Sequence, residues 1–130
     1  MKTYLYIIIF SFFIHSCLSE TCFENRESKI NVSFNIISPK NYKDDIFIDV
    51  YTKLEGINPE TGKMDFYSDG FKWITPYRDS ILKGDTLSKK KGEDFFLIKK
   101  KRSIIKIYAL KCNPNGEVDT TSPAFEIINR

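Results

Sequence analysis

Few side chains in this sequence are equipped for catalysis. The single histidine, His15, sits at the end of the apolar run that opens the chain. If that run is cut away, no imidazole is left. Serine or cysteine nucleophiles then lack a histidine base, and zinc or iron sites lack histidine ligands. Carboxylates remain, and glycosidases use two of them across a cleft. Seventeen Asp and Glu residues always offer some pair, but a short chain without long insertions has little from which to build the cleft. The expectation is a protein that is not an enzyme and that carries no cofactor and no metal. Asn113-Pro114-Asn115-Gly116-Glu117-Val118-Asp119 has oxygen ligands at alternate positions, as a calcium loop does. Its first positions are amides and no glutamate closes it, whereas an Asn-Gly hairpin turn accounts for the same residues.

Two features point to binding instead. Phe66, Tyr67, Phe71, Trp73 and Tyr77 crowd into one short stretch. Rings exposed on a β-domain stack on sugars or anchor a protein partner, whereas rings turned inward are simply core. Period-two spacing puts Phe71, Trp73 and Thr75 on one face. If that face turns outward, Phe71, Trp73 and Tyr77 form a contact surface. The second feature is positive charge, in Lys89-Lys90-Lys91 and in the patch Lys99, Lys100, Lys101 and Arg102. Such a patch meets an anionic headgroup, a polyanionic glycan or an acidic protein, or it merely keeps turns and edge strands soluble. The runs lack interleaved aromatics and the net charge is only +3, so no nucleic-acid partner is expected. Asn31-Val32-Ser33 has the form of a glycosylation sequon, which matters only in a eukaryotic secretory pathway.

The two ends of the chain say where it goes. Met1-Lys2-Thr3 sets a positive charge ahead of the apolar run Tyr4 to Ile14. That run is shorter than the ~20 residues that span a bilayer, and it has the length of the apolar part of a secretory leader. Residues 1–19 are therefore expected to be a signal peptide. Cys17 and Ser19 are small residues where a signal peptidase reads, which leaves Glu20 as the mature start. Alternatively, Phe13-Ile14-His15-Ser16-Cys17 resembles a bacterial lipoprotein signal, whose cysteine becomes the acylated first residue. That family usually has Leu three residues before the cysteine and Gly or Ala directly before it, where this chain has Ile14 and Ser16. The resemblance implies lipidation at Cys17 and a membrane-anchored protein in the periplasm or at the cell surface. Cleavage before Glu20 implies a secreted one.

Three cysteines is an odd count for an exported chain. With Cys17 acylated or removed, Cys22 and Cys112 remain as one pair that a disulfide could join, tying the N-terminal tail to the end of the strand Ser103 to Cys112; the alternative is two free buried thiols, which an oxidising compartment disfavours. In the chain-entropy model, closing so long a loop stabilises by about 4–5 kcal/mol. No Cys-x-x-Cys occurs, so thiol-redox catalysis is not expected.

The elements that must hold these residues read as strands. About 110 residues follow the leader, enough for one small domain with one core. Residues 20–29 are polar and read as a tether, and residues 30–130 as the folded domain. Ile30, Val32, Phe34 and Ile36 alternate with polar residues, and Ile46, Ile48, Val50, Thr52 and Leu54 face inward from a second strand. Short strands follow near Met64 and Phe66 and near Phe71 to Thr75. Arg78 to Gly92 reads as polar and irregular, with Ile81, Leu82 and Leu87 touching the core. Asp94 to Ile98 is a strand. Ser103 to Cys112 is apolar on both faces and is therefore placed near the middle of the fold, with Asn115-Gly116 turning it into a last strand, Ala124 to Ile128. No amphipathic helix stands out.

About seven strands with turn signals between them favour an all-β fold, a single β-sandwich. Ile105-x-Ile107-x-Ala109, Asn115-Gly116 and Ser122-Pro123 resemble the end of fibronectin type III and immunoglobulin-like domains. Those domains carry a tryptophan on an early strand, whereas Trp73 lies mid-chain. The resemblance implies an immunoglobulin-like sandwich and no particular function. Together these readings describe an exported, non-catalytic envelope protein, a lipid-anchored binding or structural β-sandwich with an unknown protein or glycan as partner. The alternatives are a carbohydrate-binding accessory module and a small inhibitor or immunity-type protein.

Overall fold

The computed structural model describes residues 21–44, 53–68 and 73–130. The expected leader with Cys17, most of the strand expected over residues 46–54, and Phe71 lie outside the described residues. The first described element is a helix, α1 (Cys22–Ile30). Thr21 starts it with a capping box: its hydroxyl accepts from the Glu24 N–H at 3.3 Å, and the Glu24 carboxylate accepts from the Thr21 N–H at 2.9 Å. The Thr21 backbone N–H, with help from its hydroxyl, holds the Glu24 carboxyl below its ordinary pKa. Residues 22–29, read from composition as part of a tether, are thus helical. The tether reading failed because the two buried positions of α1 are Cys22 and Lys29, so no apolar stripe marks the inner face.

The rest of the described chain is mostly β. Its strands are β1 (Phe34–Ile37), β2 (Lys53–Ile57), β3 (Met64–Ser68), β4 (Thr86–Lys89), β5 (Phe95–Lys99), β6 (Ser103–Tyr108) and β7 (Phe125–Asn129). All are antiparallel neighbours in one hydrogen-bonded sheet of order β3-β2-β1-β4-β5-β6-β7. The central strand is β4, inside the stretch read as polar and irregular, while β6 lies next to an edge. Only Leu87 and Lys89 turn inward from β4, and an inward lysine does not advertise a strand. Ile36, Leu54, Leu87, Phe96, Ile98 and Ile107 are fully buried, each aliphatic side chain contributing about 2 kcal/mol relative to exposure. Two 3₁₀ segments, one turn over Tyr42–Asp44 and two turns over Thr75–Ser80, cross this inner side, and Tyr42, Trp73, Ile74 and Ile81 complete the core.

A corner shapes the sheet. β1 and β2 share one residue pair, Ile37 with Ile57. At Gly56 a Cβ atom would lie 2.1 Å from the Ile37 carbonyl oxygen and 2.9 Å from Ile36 Cγ2. The bare backbone therefore lets β2 cross tightly over β1 and bring β3 with it. As a result the Tyr67 ring of β3 packs 4.7 Å from that of Phe34 in β1, although the two strands are not hydrogen-bonded neighbours. The end of the sheet beyond β1 and β4 is closed by Ser38 and Asp85: Ser38 N donates to Asp85 O, and Gly84 N to Ser38 O, both at 2.8 Å. The buried Asp85 carboxylate accepts from Leu82 N and from the Lys100 ammonium.

β6 and β7 pair from Ser103 with Asn129 to Ile107 with Phe125. Between them the chain makes an excursion over residues 109–124. The Asn115-Gly116 turn lies within it, and it closes a small loop bridged by Cys112 and Val118 rather than joining the two strands directly. Gly116, at φ 82°, sits 3.4 Å from the Phe23 ring of α1 at its Cβ position. The crossing at Gly56 is testable. Gly56→Ala is expected to lower stability by about 3 kcal/mol in urea unfolding, whereas Gly62→Ala, in open space at φ 68°, costs about 1 kcal/mol.

Candidate functional site

Cys22 at the start of α1 is joined to Cys112 in the 109–124 excursion by a disulfide, S–S 2.02 Å, across 90 residues. The bond fastens one end of the helix to the excursion. The other end is held by Lys89. From central β4 its ammonium donates to Ile30 O (3.3 Å), the last carbonyl of α1, to Val32 O (3.4 Å) and to Lys90 O. A cation at a helix C-terminus is favoured by both the free carbonyls and the macrodipole. Burial nevertheless pushes the Lys89 pKa down, against the upward pull of Glu93 and Asp94.

Between α1 and the excursion lies a cleft of about 410 Å³. Asn25 and Lys29 form its helical wall, Pro76 and Tyr77 a second wall, and Val118, Asp119, Ser122 and Pro123 a third, with Trp73 and the end of β6 beneath. Its size and largely apolar lining with a few polar groups suit a small-ligand or side-chain pocket. Trp73 is core: it is only 4% exposed, donates its Nε1–H to Tyr108 O at 3.1 Å, and meets Phe96 edge-on at 5.0 Å. The contact-surface reading of this ring is therefore corrected. The ammonium groups of Lys29 and Lys89 approach the indole to 5.8 and 6.0 Å, a cation–π arrangement around a buried ring. Tyr77 does line the cleft. Half-buried, it packs edge-on to Phe125 at 6.1 Å, and desolvation raises its phenol pKa.

The excursion is ordered by its own side chains. Asn113 Oδ1 accepts from the N–H groups of Asn115 (3.0 Å) and Glu117 (2.9 Å). Asp119 accepts from the hydroxyl and N–H of Thr121 and the hydroxyl of Ser122, bonds that lower its pKa, the Thr121 hydroxyl foremost. These oxygens cap turns, which explains the faint calcium-loop pattern without an ion. Among the described residues no group of three or more His, Cys, Asp or Glu is arranged as a metal cluster, and no helix is long and apolar enough to cross a membrane.

The basic patch is divided by the fold. Lys100 turns in to Asp85 and to Ser80 O. Lys101 and Arg102 are exposed at the β5–β6 turn. Lys99 points to the opposite side of the sheet, where a trough of about 610 Å³ also collects Asn35, Asn58, Glu60, Asp65, Ser88 and Lys90. There Asn35 Nδ2 donates to Glu60 (3.0 Å) and Asn58 Nδ2 to Asp65 (3.4 Å), while Asn35 Oδ1 is buried without a hydrogen-bond partner among the described residues.

Reading the sequence missed Asn25 and Lys29, which lie in the supposed tether. The signal that could have found them is Thr21-Cys22-Phe23-Glu24, a capping-box spacing that announces a helix start. Compared with protein-family models, curated proteins and solved structures, the chain matches none of them.

Lys89 should leave a mark on the pH dependence of stability. Its folded pKa is depressed, so below that value both states are protonated and the desolvation cost is constant. As pH rises toward the ordinary lysine value the unfolded chain binds more protons than the folded one, and stability increases. Urea midpoints compared at about pH 7 and about pH 10 should show the wild type gaining on Lys89→Met.

Proposed function

We propose that the chain is an exported, non-catalytic binding domain that holds a segment of a partner protein in the cleft between α1 and the 109–124 excursion. The observation that carries this is the Cys22–Cys112 disulfide. Such bonds persist in oxidising compartments outside the cytosol, and this one joins two walls of the cleft. Tyr77, Pro76 and Pro123 offer apolar contact to one or two partner side chains, and Lys111, Asp119 and Thr120 offer polar atoms to orient them. Blocking a partner in this way is also what a small inhibitor or immunity-type protein does. Attachment is through a lipid on Cys17, in the periplasm or at the cell surface. The two-layer, immunoglobulin-like packing belongs to this reading and is supported by the corner at Gly56, which lays Tyr67 over Phe34.

A second reading, a carbohydrate-binding module, is favoured by the trough on the other side of the sheet. Its amides and carboxylates, Asn58, Glu60 and Asp65 among them, are the groups that grip sugar hydroxyls.

In pull-downs from an envelope fraction, one stoichiometric protein should be retained by the wild type and lost with Tyr77→Ala, a change that costs about 2 kcal/mol of stability and leaves the far-UV dichroism unchanged. Glycan binding abolished by Asn35→Ala and untouched by Tyr77→Ala would replace the first reading by the second. Mass spectrometry of the mature N-terminus is expected to find diacylglyceryl on Cys17; a chain starting at Glu20 would make the protein secreted and unanchored.

A further inference from the structure

We propose that β7 is a self-pairing edge: two copies of this chain join by antiparallel pairing of their β7 strands about a two-fold axis at Ile128. β7 is the outermost strand, and among the described residues nothing pairs with its outer side. All five of its residues are exposed, including Phe125 at 49%, Ile127 at 59% and Ile128 at 45%. Soluble proteins blunt such edges with lysine, proline or a bulge. β7 has no lysine or proline, and its ladder with β6 runs without a bulge from Phe125 to Asn129.

The hydrogen-bond phase tells which backbone groups are free. Ala124 O accepts from Tyr108 N, and Arg130 N donates to Arg102 O, each at 3.0 Å. Even-numbered residues therefore turn their backbone groups toward β6. By alternation, Phe125, Ile127 and Asn129 turn theirs outward.

A two-fold axis normal to the sheet keeps every side chain on its own face, so paired residue numbers must have an even sum. Centred on Ile128, the pairing sets Ile127 opposite Asn129 of the second copy, both with outward N–H and C=O groups. This gives four backbone hydrogen bonds across the seam. Ile128 meets its own copy, and Glu126, whose Oε1 accepts from the Tyr108 hydroxyl (2.8 Å) and pairs with Lys106 Nζ (3.6 Å), turns its second carboxylate oxygen to Arg130 of the second copy, twice, all in closely spaced non-hydrogen-bonded pairs. Centring on Ile127 would instead oppose Glu126 to Ile128, a charge against an apolar side chain. The self-complementary charges select the first register, and the partner that carries the matching strand is a second copy.

The seam is one short strand wide, so the dimer is weak, with Kd on the order of tens of micromolar. Sedimentation of the purified mature chain should show a concentration-dependent dimer. Ile127→Pro removes an outward N–H that β6 does not use and is tolerated at an edge; it should leave the melting temperature within a few degrees and abolish the dimer. Arg130→Glu should raise Kd about tenfold by setting like charges opposite each other. Ile128→Cys should cross-link to itself on mild oxidation, and Ile127→Cys should not. A chain that stays monomeric to about 1 mM, a dimer indifferent to Ile127→Pro, or cross-linking through position 127 in place of 128 overturns the proposal.

Discussion

A helix of nine residues with no apolar stripe cannot hold itself in place, because helix formation this short is marginal in water without tertiary support. In this fold α1 is fastened at both ends. Cys22 is bonded to Cys112 at its start, and the Lys89 ammonium grips the carbonyl of Ile30 at its finish. The first attachment orders the 109–124 excursion against the helix; the second ties the helix to the central strand of the sheet. The cleft exists because these two attachments hold its walls apart and in place.

The lysine at β4 illustrates how burial of a charge becomes tolerable. Isolated, a desolvated ammonium is costly. Here three backbone carbonyls surround it, and the indole face of Trp73 lies 6.0 Å away. Trp73 in turn is fixed by its bond to Tyr108 O and by Phe96. Lys100 and Asp85 repeat the device at the other end of the inner layer, where the carboxylate also caps Leu82 N. Breaking either arrangement from one side would leave a buried group unpaired, which costs more than the pair itself contributes.

The corner at Gly56 belongs to a different kind of constraint. Nothing attractive is made there; a Cβ is simply excluded by the Ile37 carbonyl. That exclusion allows the β2–β3 hairpin to cross β1 and cover Phe34. Much of the fold is legible where alternation is clean, as in Phe34 and Ile36 of β1, Phe96 and Ile98 of β5, and Ile105 and Ile107 of β6. It is illegible where inward positions carry polar residues. Leu87 and Lys89 form the inward side of the central strand, yet the stretch reads as irregular, since a lysine stem packs like an apolar chain while its charge argues for the surface. The aromatic cluster misled in the other direction. Trp73 was a candidate contact and is buried, whereas Tyr77, four residues on, does reach the cleft.

From residues alone came the mostly β character, the pattern of inward side chains on the regular strands, and the absence of any imidazole after residue 15. Those follow from side-chain type and period, which are local. The order of strands, the central place of β4, the helical state of residues 22–29 and the cleft itself were decided by tertiary structure. Each depends on contacts between residues far apart in the chain: Lys89 with Ile30, Gly56 with Ile37, and Cys22 with Cys112, the one of the three that counting cysteines also pairs. No local pattern encodes such contacts, since their energy exists only once both partners have been brought together.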